Sequence, residues 1–396
     1  MVSEKIRSMM DSSSFIRKMF ETGAKLKREF GEENVYDFSL GNPAMDPPEN
    51  FTKVLLEKAA DQHMHRYMPN AGYPDVRNKV AEYISSEQQT IVNSDSVIMT
   101  SGAGGALNTV LKTIINPGDK IIASIPCFME YKFYCDNHGG ELDLVNGLSD
   151  FNLDINAIEA AITEKTAAVI INSPNNPSGR IYPKETIESL ASMLTKKSKE
   201  TGRTIYLISD EPYRKIVYDK VIVPSVMDAY KNSIVCTSYS KDLSIPGERI
   251  GWLAVNPEAE DFNNLINGII LCNRILGYVN APALMQRIIA ELQGVSVNIE
   301  LYRKKRDLLA KKLAEFGYKF RIPEGTFYFF VEAPGGDDMK LVDLLKDEKI
   351  LVVPGRGFSL PGFFRIAYCV DDSVIEGSMA GFKRTAEKLG LKQDKK

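Results

Sequence analysis

The sequence has little of what metal and disulfide chemistry require. Its five cysteines, Cys127, Cys135, Cys236, Cys272 and Cys369, are scattered, odd in number and never spaced C-x-x-C, which points to buried thiols in a reducing compartment. The three histidines, His63, His65 and His138, form no H-E-x-x-H, so no metal site is expected. No apolar run approaches the length of a membrane span, and the opening Met-Val-Ser-Glu-Lys-Ile-Arg lacks the apolar core of a secretory signal. The expectation is a cytoplasmic protein without a membrane partner. Charge of neither sign dominates: 49 Lys and Arg against 52 Asp and Glu leave −3, which argues against nonspecific binding to nucleic acid.

What is present is an ordinary soluble composition, 44% apolar and 26% charged, in 396 residues. That length suits one large α/β domain with a smaller companion. An amphipathic helix is expected over 12–30, carrying Phe15, Ile16, Met19, Phe20, Leu26 and Phe30 on its apolar side, and another helix over 49–64. Between them the stretch from Phe38 to Pro48 is too rich in Gly and Pro for regular structure; it serves as a crossing loop, a site lining, or both. From about 96 to 256, strand-like runs alternate with helical patterns, as in a mostly parallel sheet. Beyond 257 the pattern changes to long helices over 258–292 and 295–316, then short strands at 326–331, 350–353 and 363–368 and a helix at 372–389.

The unusual residues fall at strand ends, where open α/β sheets bind ligands. After Val97–Thr100 comes Ser101-Gly-Ala-Gly-Gly-Ala106, opening a helix whose free N–H groups suit a phosphate; tight packing of helix on strand explains the small residues equally well. After Val169–Ile171 comes Asn172-Ser-Pro-Asn-Asn-Pro-Ser-Gly179, a rigid turn that places Asn176 as a donor. Asp210 closes a run that should be buried, where a carboxylate is costly unless paired. A structural cation would satisfy it, as would a protonated ring nitrogen on a bound cofactor. Ile234–Cys236 leads into Ser238-Tyr-Ser-Lys241, with Arg249 eight positions on. A solvated turn is the bland account of this lysine; an amine that must react, beside a cation that holds an anion, is the other. Arg365, inside an apolar strand, needs an anion from the protein or from a substrate.

A phosphate cradle, a carboxylate, a lysine and an arginine together suit pyridoxal phosphate, which needs a lysine imine, an acidic partner for its pyridine nitrogen and a cation for its phosphate. No Rossmann fingerprint competes for the assignment. Taken in order, Ser39-Leu-Gly-Asn-Pro43, Tyr67-Met-Pro-Asn-Ala-Gly72, Ser101-Gly-Ala103, Pro126-Cys-Phe-Met-Glu-Tyr131, Asn175-Asn-Pro-Ser-Gly179, Asp210-Glu-Pro-Tyr213, Ser238-Tyr-Ser-Lys241 with Arg249, and Phe364-Arg365 resemble the fold type I, class I/II pyridoxal-phosphate aminotransferases of the aspartate aminotransferase kind over roughly residues 35–385.

The resemblance implies an α/β fold: a large domain with a mostly parallel, seven-stranded-type sheet flanked by helices, plus a smaller α+β domain. It divides the chain into an N-terminal arm and part of the small domain (1–48), a large cofactor-binding domain (49–290) and a C-terminal small domain (291–396). It implies catalytic roles for Lys241 as the Schiff-base lysine, Asp210 as the pyridinium partner and Tyr213 as a donor to the ring oxygen together with Asn176. Phe128 would stack on the ring; Gly102, Ala103, Gly104, Ser238, Ser240 and Arg249 would hold the phosphate, and Tyr67 would reach the phosphate of the neighbouring subunit in a homodimer. Arg365, with Asn176 and the Gly41 backbone, would hold the substrate carboxylate. The implied reaction is ping-pong transamination between an L-amino acid and a 2-oxo acid. A β-elimination lyase on the same scaffold is the alternative, and a non-catalytic effector-binding module a remote one. Specificity for a second carboxylate would need another cation, for which Arg274, near Tyr278-Val-Asn-Ala-Pro282, and Arg356 are the candidates.

Overall fold

The computed structural model describes residues 2–11, 15–63 and 65–392. After a short strand β1 (Tyr36–Asp37) come the seven strands of the large sheet: β2 (Val97–Thr100), β3 (Lys120–Ile125), β4 (Glu141–Asn146), β5 (Thr166–Asn172), β6 (Tyr206–Asp210), β7 (Ser233–Ser238) and β8 (Gly251–Val255). Their order is β2-β8-β7-β6-β5-β3-β4, and only β8 runs against its neighbours. The mostly parallel α/β sheet expected from the sequence is therefore present.

Helices cover both faces of this sheet, which explains why its strands read as unbroken apolar runs rather than alternations. Val169, Ile171, Leu207 and Val235 pack on one side, against helices Pro74–Gln88 and Lys184–Thr201. Ala168, Ile170, Ile208 and Ile234 pack on the other, against Gly102–Ile114 and Phe262–Ile275. Each fully buried Val, Leu or Ile contributes roughly 1.5–3 kcal/mol.

A second core forms around β9 (Tyr328–Glu332), β10 (Ile350–Leu351), β11 (Val353–Pro354) and β12 (Phe363–Ala367). β11, β12 and β9 make an antiparallel sheet, while β10 pairs parallel with β1. The single strand expected over 350–353 thus changes partner at Val352. Aromatic rings fill this core, among them Phe38, Tyr302, Phe327, Phe329, Phe364, Tyr368 and Phe382. Phe38 belongs here because its N–H donates to the Leu351 carbonyl and its own carbonyl accepts from Ala367 N–H.

Two helix expectations change. The helix at 49–64 ends at Ala59. The helical pattern over 258–292 is two helices, Phe262–Ile275 and Ala283–Ile289. Gly277 takes a φ of 91° and bonds back to the Arg274 carbonyl, a left-handed cap, and Pro282 cannot continue the first helix. Near the N-terminus the helix is Phe15–Phe30, with Met19 packing on the second core. Residues 12–14 and the side chains of Phe15, Ile16 and Phe20 lie outside what is described. Among the described residues, no helix is long and apolar enough to cross a membrane.

Candidate active site

The ends of β5, β6 and β7 open into a cavity of about 320 Å³ that Gly41, Tyr328 and Arg365 also line. Gly41, Ala103, Gly104, Phe128, Asn176, Asp210, Tyr213, Ser238, Ser240, Lys241, Arg249 and Arg365 all line it. Residues scattered over more than three hundred positions of sequence thus converge on one space.

Asn172, the last residue of β5, ties three pieces together. Its side-chain amide donates to the Asp210 carbonyl (2.7 Å) and its Oδ1 accepts from Asn176 N–H (2.7 Å). The turn after β5 is thereby fixed against the end of β6. Asp210 is buried, and its Oδ2 accepts a 2.6 Å hydrogen bond from the Tyr131 hydroxyl. Among the described residues, no hydrogen-bond donor reaches Oδ1. Burial, opposed by the Tyr131 hydrogen bond and reinforced by the Glu211 charge, pushes this carboxyl up to about 7. The structural cation that would have explained Asp210 blandly is not among the ion pairs of the described residues.

Lys241 follows β7 and extends its amine to the Gly41 carbonyl at 2.6 Å. Burial lowers it from 10.5 to about 8, with smaller contributions from Arg365 and Arg249, so near neutral pH a useful fraction of the amine is free base. Arg249 sits in the left-handed region (φ 51°), anchored by donation to the Pro246 carbonyl at 2.8 Å. This places its guanidinium over the start of the Gly102–Ile114 helix. Gly102 has a φ of 68°, and a Cβ there would lie 2.8 Å from Arg249 Nη2. The glycine is what lets the cation approach the helix N-terminus, two favourable partners for one anion. Ser238 and Ser240 line the same cavity.

Arg365, on β12, is 2% exposed. It donates to Asn176 Oδ1 (3.0 Å) and to the Ser39 carbonyl (2.6 Å), while its Nε has no partner. None of the ion pairs of the described residues includes it. An arginine buried against neutral acceptors, with part of its fork free, is suited to an incoming carboxylate.

Other sequence expectations fall elsewhere. Tyr67 is 91% exposed and lies outside the cavity. Gly102 abuts the cavity through Arg249 without lining it. Arg274 is exposed on the last turn of its helix. Arg356 is held through Nη2 and Nε by the buried Asp338, at 2.7 and 3.1 Å, and does not reach the cavity. Tyr131, Tyr134, Asn172 and Tyr328 are site residues to which the sequence reading assigned no role. For Tyr131 and Asn172 a signal existed, since both stand within quoted motifs; Tyr134 and Tyr328 sit in aromatic runs that read as core.

The family model "Aminotransferase class I and II" matches residues 33–379. The chain belongs to that family. The resemblance drawn from the ordered motifs is borne out, and with it a pyridoxal-phosphate-dependent aminotransferase activity. Among solved structures, an amino transferase from Eubacterium rectale is 41% identical with a TM-score of 0.94, over 98% of this chain and 99% of that one. The aspartate aminotransferase of Thermus thermophilus, solved with maleate, is 26% identical with a TM-score of 0.86, over 97% and 99%. The probable aspartate aminotransferase of Methanocaldococcus jannaschii is 28% identical over 98% of this chain and 100% of its own.

Proposed function

We propose that this aminotransferase exchanges an amino group between an L-amino acid and a 2-oxo acid in two half-reactions at the cavity under β5–β7, with pyridoxal phosphate as cofactor and Lys241 as its attachment point. The observation that carries this reading is Asp210 Oδ1, a buried carboxylate oxygen without a partner on the cavity wall. A protonated pyridine nitrogen is the donor that such an oxygen lacks, and its charge would return Asp210 to the ionised form. The rest of the donor set fits the group as well. Arg249, Ser238, Ser240 and the first amides of the Gly102–Ile114 helix suit its phosphate, and Phe128 offers a ring face.

When bound, the cofactor supplies an aldehyde carbon that takes the amino nitrogen and a cationic ring that accepts the electrons released at the substrate Cα. The protein does the remainder. Asp210 would keep the proton on the ring nitrogen. Asn176 and Tyr213 would hydrogen-bond the ring oxygen. Arg365 grips the substrate α-carboxylate in a fixed orientation beside Asn176. The Lys241 amine, lowered toward neutrality and oriented by the Gly41 carbonyl, is the base that takes and returns the Cα proton. Tyr67, exposed on the surface, is assigned to the phosphate of a second copy in a homodimer.

The test has two parts. Borohydride reduction of the protein treated with pyridoxal phosphate, followed by peptide mapping, should place the adduct on Lys241, and Lys241→Ala should abolish both adduct and turnover. A panel of amino donors and 2-oxo acids, headed by aspartate because named relatives are aspartate aminotransferases, should show amino-group exchange. Retained activity in Lys241→Ala, or release of ammonia and pyruvate from a β-substituted donor without need for an acceptor, would reject transamination through Lys241.

A further inference from the structure

Arg365 and Tyr213 come from different elements, yet one side chain touches both. On the antiparallel β12–β9 ladder Arg365 stands opposite Phe330, and Ala367 opposite Tyr328. Arg365 and Tyr328 are therefore diagonal neighbours on one face, and the small Ala367 leaves room for the guanidinium to lie over the tyrosine ring. The Arg365 Cζ is 4.5 Å from the centroid of Tyr328 and 4.9 Å from that of Phe358. The Tyr328 hydroxyl meets the Tyr213 hydroxyl at 2.9 Å, with the two rings edge-on.

We propose that Tyr328 is a positioning residue with two separable tasks: its ring seats the carboxylate-binding Arg365, and its hydroxyl donates to Tyr213 so that the Tyr213 proton is free to point at the cofactor. The inference rests on the functional reading above. Stacking occupies the faces of a guanidinium and leaves its edge donors available, so the ring fixes the plane in which Arg365 meets a carboxylate. Tyr328 is 2% exposed, and burial raises its phenol to about 12, so it remains a donor throughout the neutral range. If the Tyr213 proton serves the cofactor ring oxygen, the shared hydrogen bond must run from Tyr328 to Tyr213. That donation polarises the Tyr213 hydroxyl and strengthens it as a donor. Gly41 is part of the arrangement: a Cβ there would lie 1.9 Å from Tyr328 Oη, so only glycine admits the hydroxyl beside the carbonyl that holds Lys241.

The two tasks are read by different variants of the pyridoxal-phosphate-loaded enzyme. Tyr328→Phe keeps the ring and loses the hydroxyl. Its visible absorbance should titrate with a midpoint raised by on the order of half a pH unit, because a weaker Tyr213 donor stabilises the unprotonated chromophore less. Its KM for the best amino donor should stay within about threefold of wild type. Tyr328→Met, with Tyr328→Leu as a second non-aromatic replacement should it fold poorly, loses both tasks. Its KM should rise roughly tenfold above that of Tyr328→Phe while kcat changes less. An unshifted midpoint in Tyr328→Phe, or equal KM values in the aromatic and non-aromatic variants, overturns the assignment. Wild-type protein that gives no visible absorbance with pyridoxal phosphate overturns the functional reading itself, and this inference with it.

Discussion

Tyr131 donates a 2.6 Å hydrogen bond to Asp210 Oδ2, while Asp210 Oδ1 receives none. The pair divides the carboxylate into a half held by the protein and a half left without a donor among the described residues. The Tyr131 bond also holds the carboxyl lower than burial alone would.

Removing that bond in Tyr131→Phe raises Asp210 further, so less of it is ionised at a given pH. The acid limb of the kcat/KM profile should move to higher pH by roughly one unit. A profile superimposable on wild type would show that Tyr131 does not tune Asp210. The protein without cofactor gives an independent check. Asp210 titrates at about 7 in the fold against an ordinary 3.8, so folding favours its neutral form. The stability from that preference is full below 3.8 and lost as the pH rises through 7. Asp210→Asn lacks this loss. Its melting temperature relative to wild type should therefore climb as the pH rises from about 5 to about 7, while turnover falls by about a hundredfold or more.

Lys241 is expected to stand apart from the other lysines in its titration. Its value near 8, against an ordinary 10.5, means that an amine-directed reagent should modify it in the cofactor-free protein with a midpoint near pH 8. Mass-spectrometric site mapping across pH measures this directly. Prior loading with pyridoxal phosphate should protect this lysine and leave exposed lysines unchanged.

Among the described residues no carboxylate pairs with Arg365, so its loss should be felt by the substrate first. Arg365→Lys keeps the charge but not the planar fork, and should raise KM for the best amino donor by roughly tenfold to a hundredfold. Steady-state kinetics check this, and an unchanged KM would move the carboxylate site elsewhere.

Arg356 is expected to behave in the opposite way. Asp338, its partner, is fully buried, and Arg356→Ala strips that carboxylate of its cation. A lower melting temperature with unchanged KM for both neutral and dicarboxylic donors should result. A KM that rises only for dicarboxylic donors would restore Arg356 as a substrate group.

Asp210, Lys241, Arg249 and Arg365 were legible in the sequence because charged residues at the ends of apolar strands or, for Arg365, inside one are expensive, and each expense demands a partner. The alternation of strand and helix likewise announced the sheet. Tyr131, Tyr134 and Tyr328 were not legible as site residues. A tyrosine in an apolar run packs its ring as a core residue does, and only the direction of its hydroxyl, a tertiary property, separates the two roles. The helical break at Gly277–Pro282 was hidden because the apolar period continues on both sides of it. Val352 shows another limit: one apolar strand serves two sheets, and strand partners are set by the whole fold.

The hydrogen bond from Arg365 to the Ser39 carbonyl joins residues 326 positions apart. On the ribosome, Ser39 emerges early and must wait for nearly the whole chain before its partner exists. The large sheet can be complete while the carboxylate grip is still unsynthesised. Lys241 is thus made well before Arg365, and a chain cut short before β12 keeps the lysine but lacks the arginine on which the proposed carboxylate grip depends.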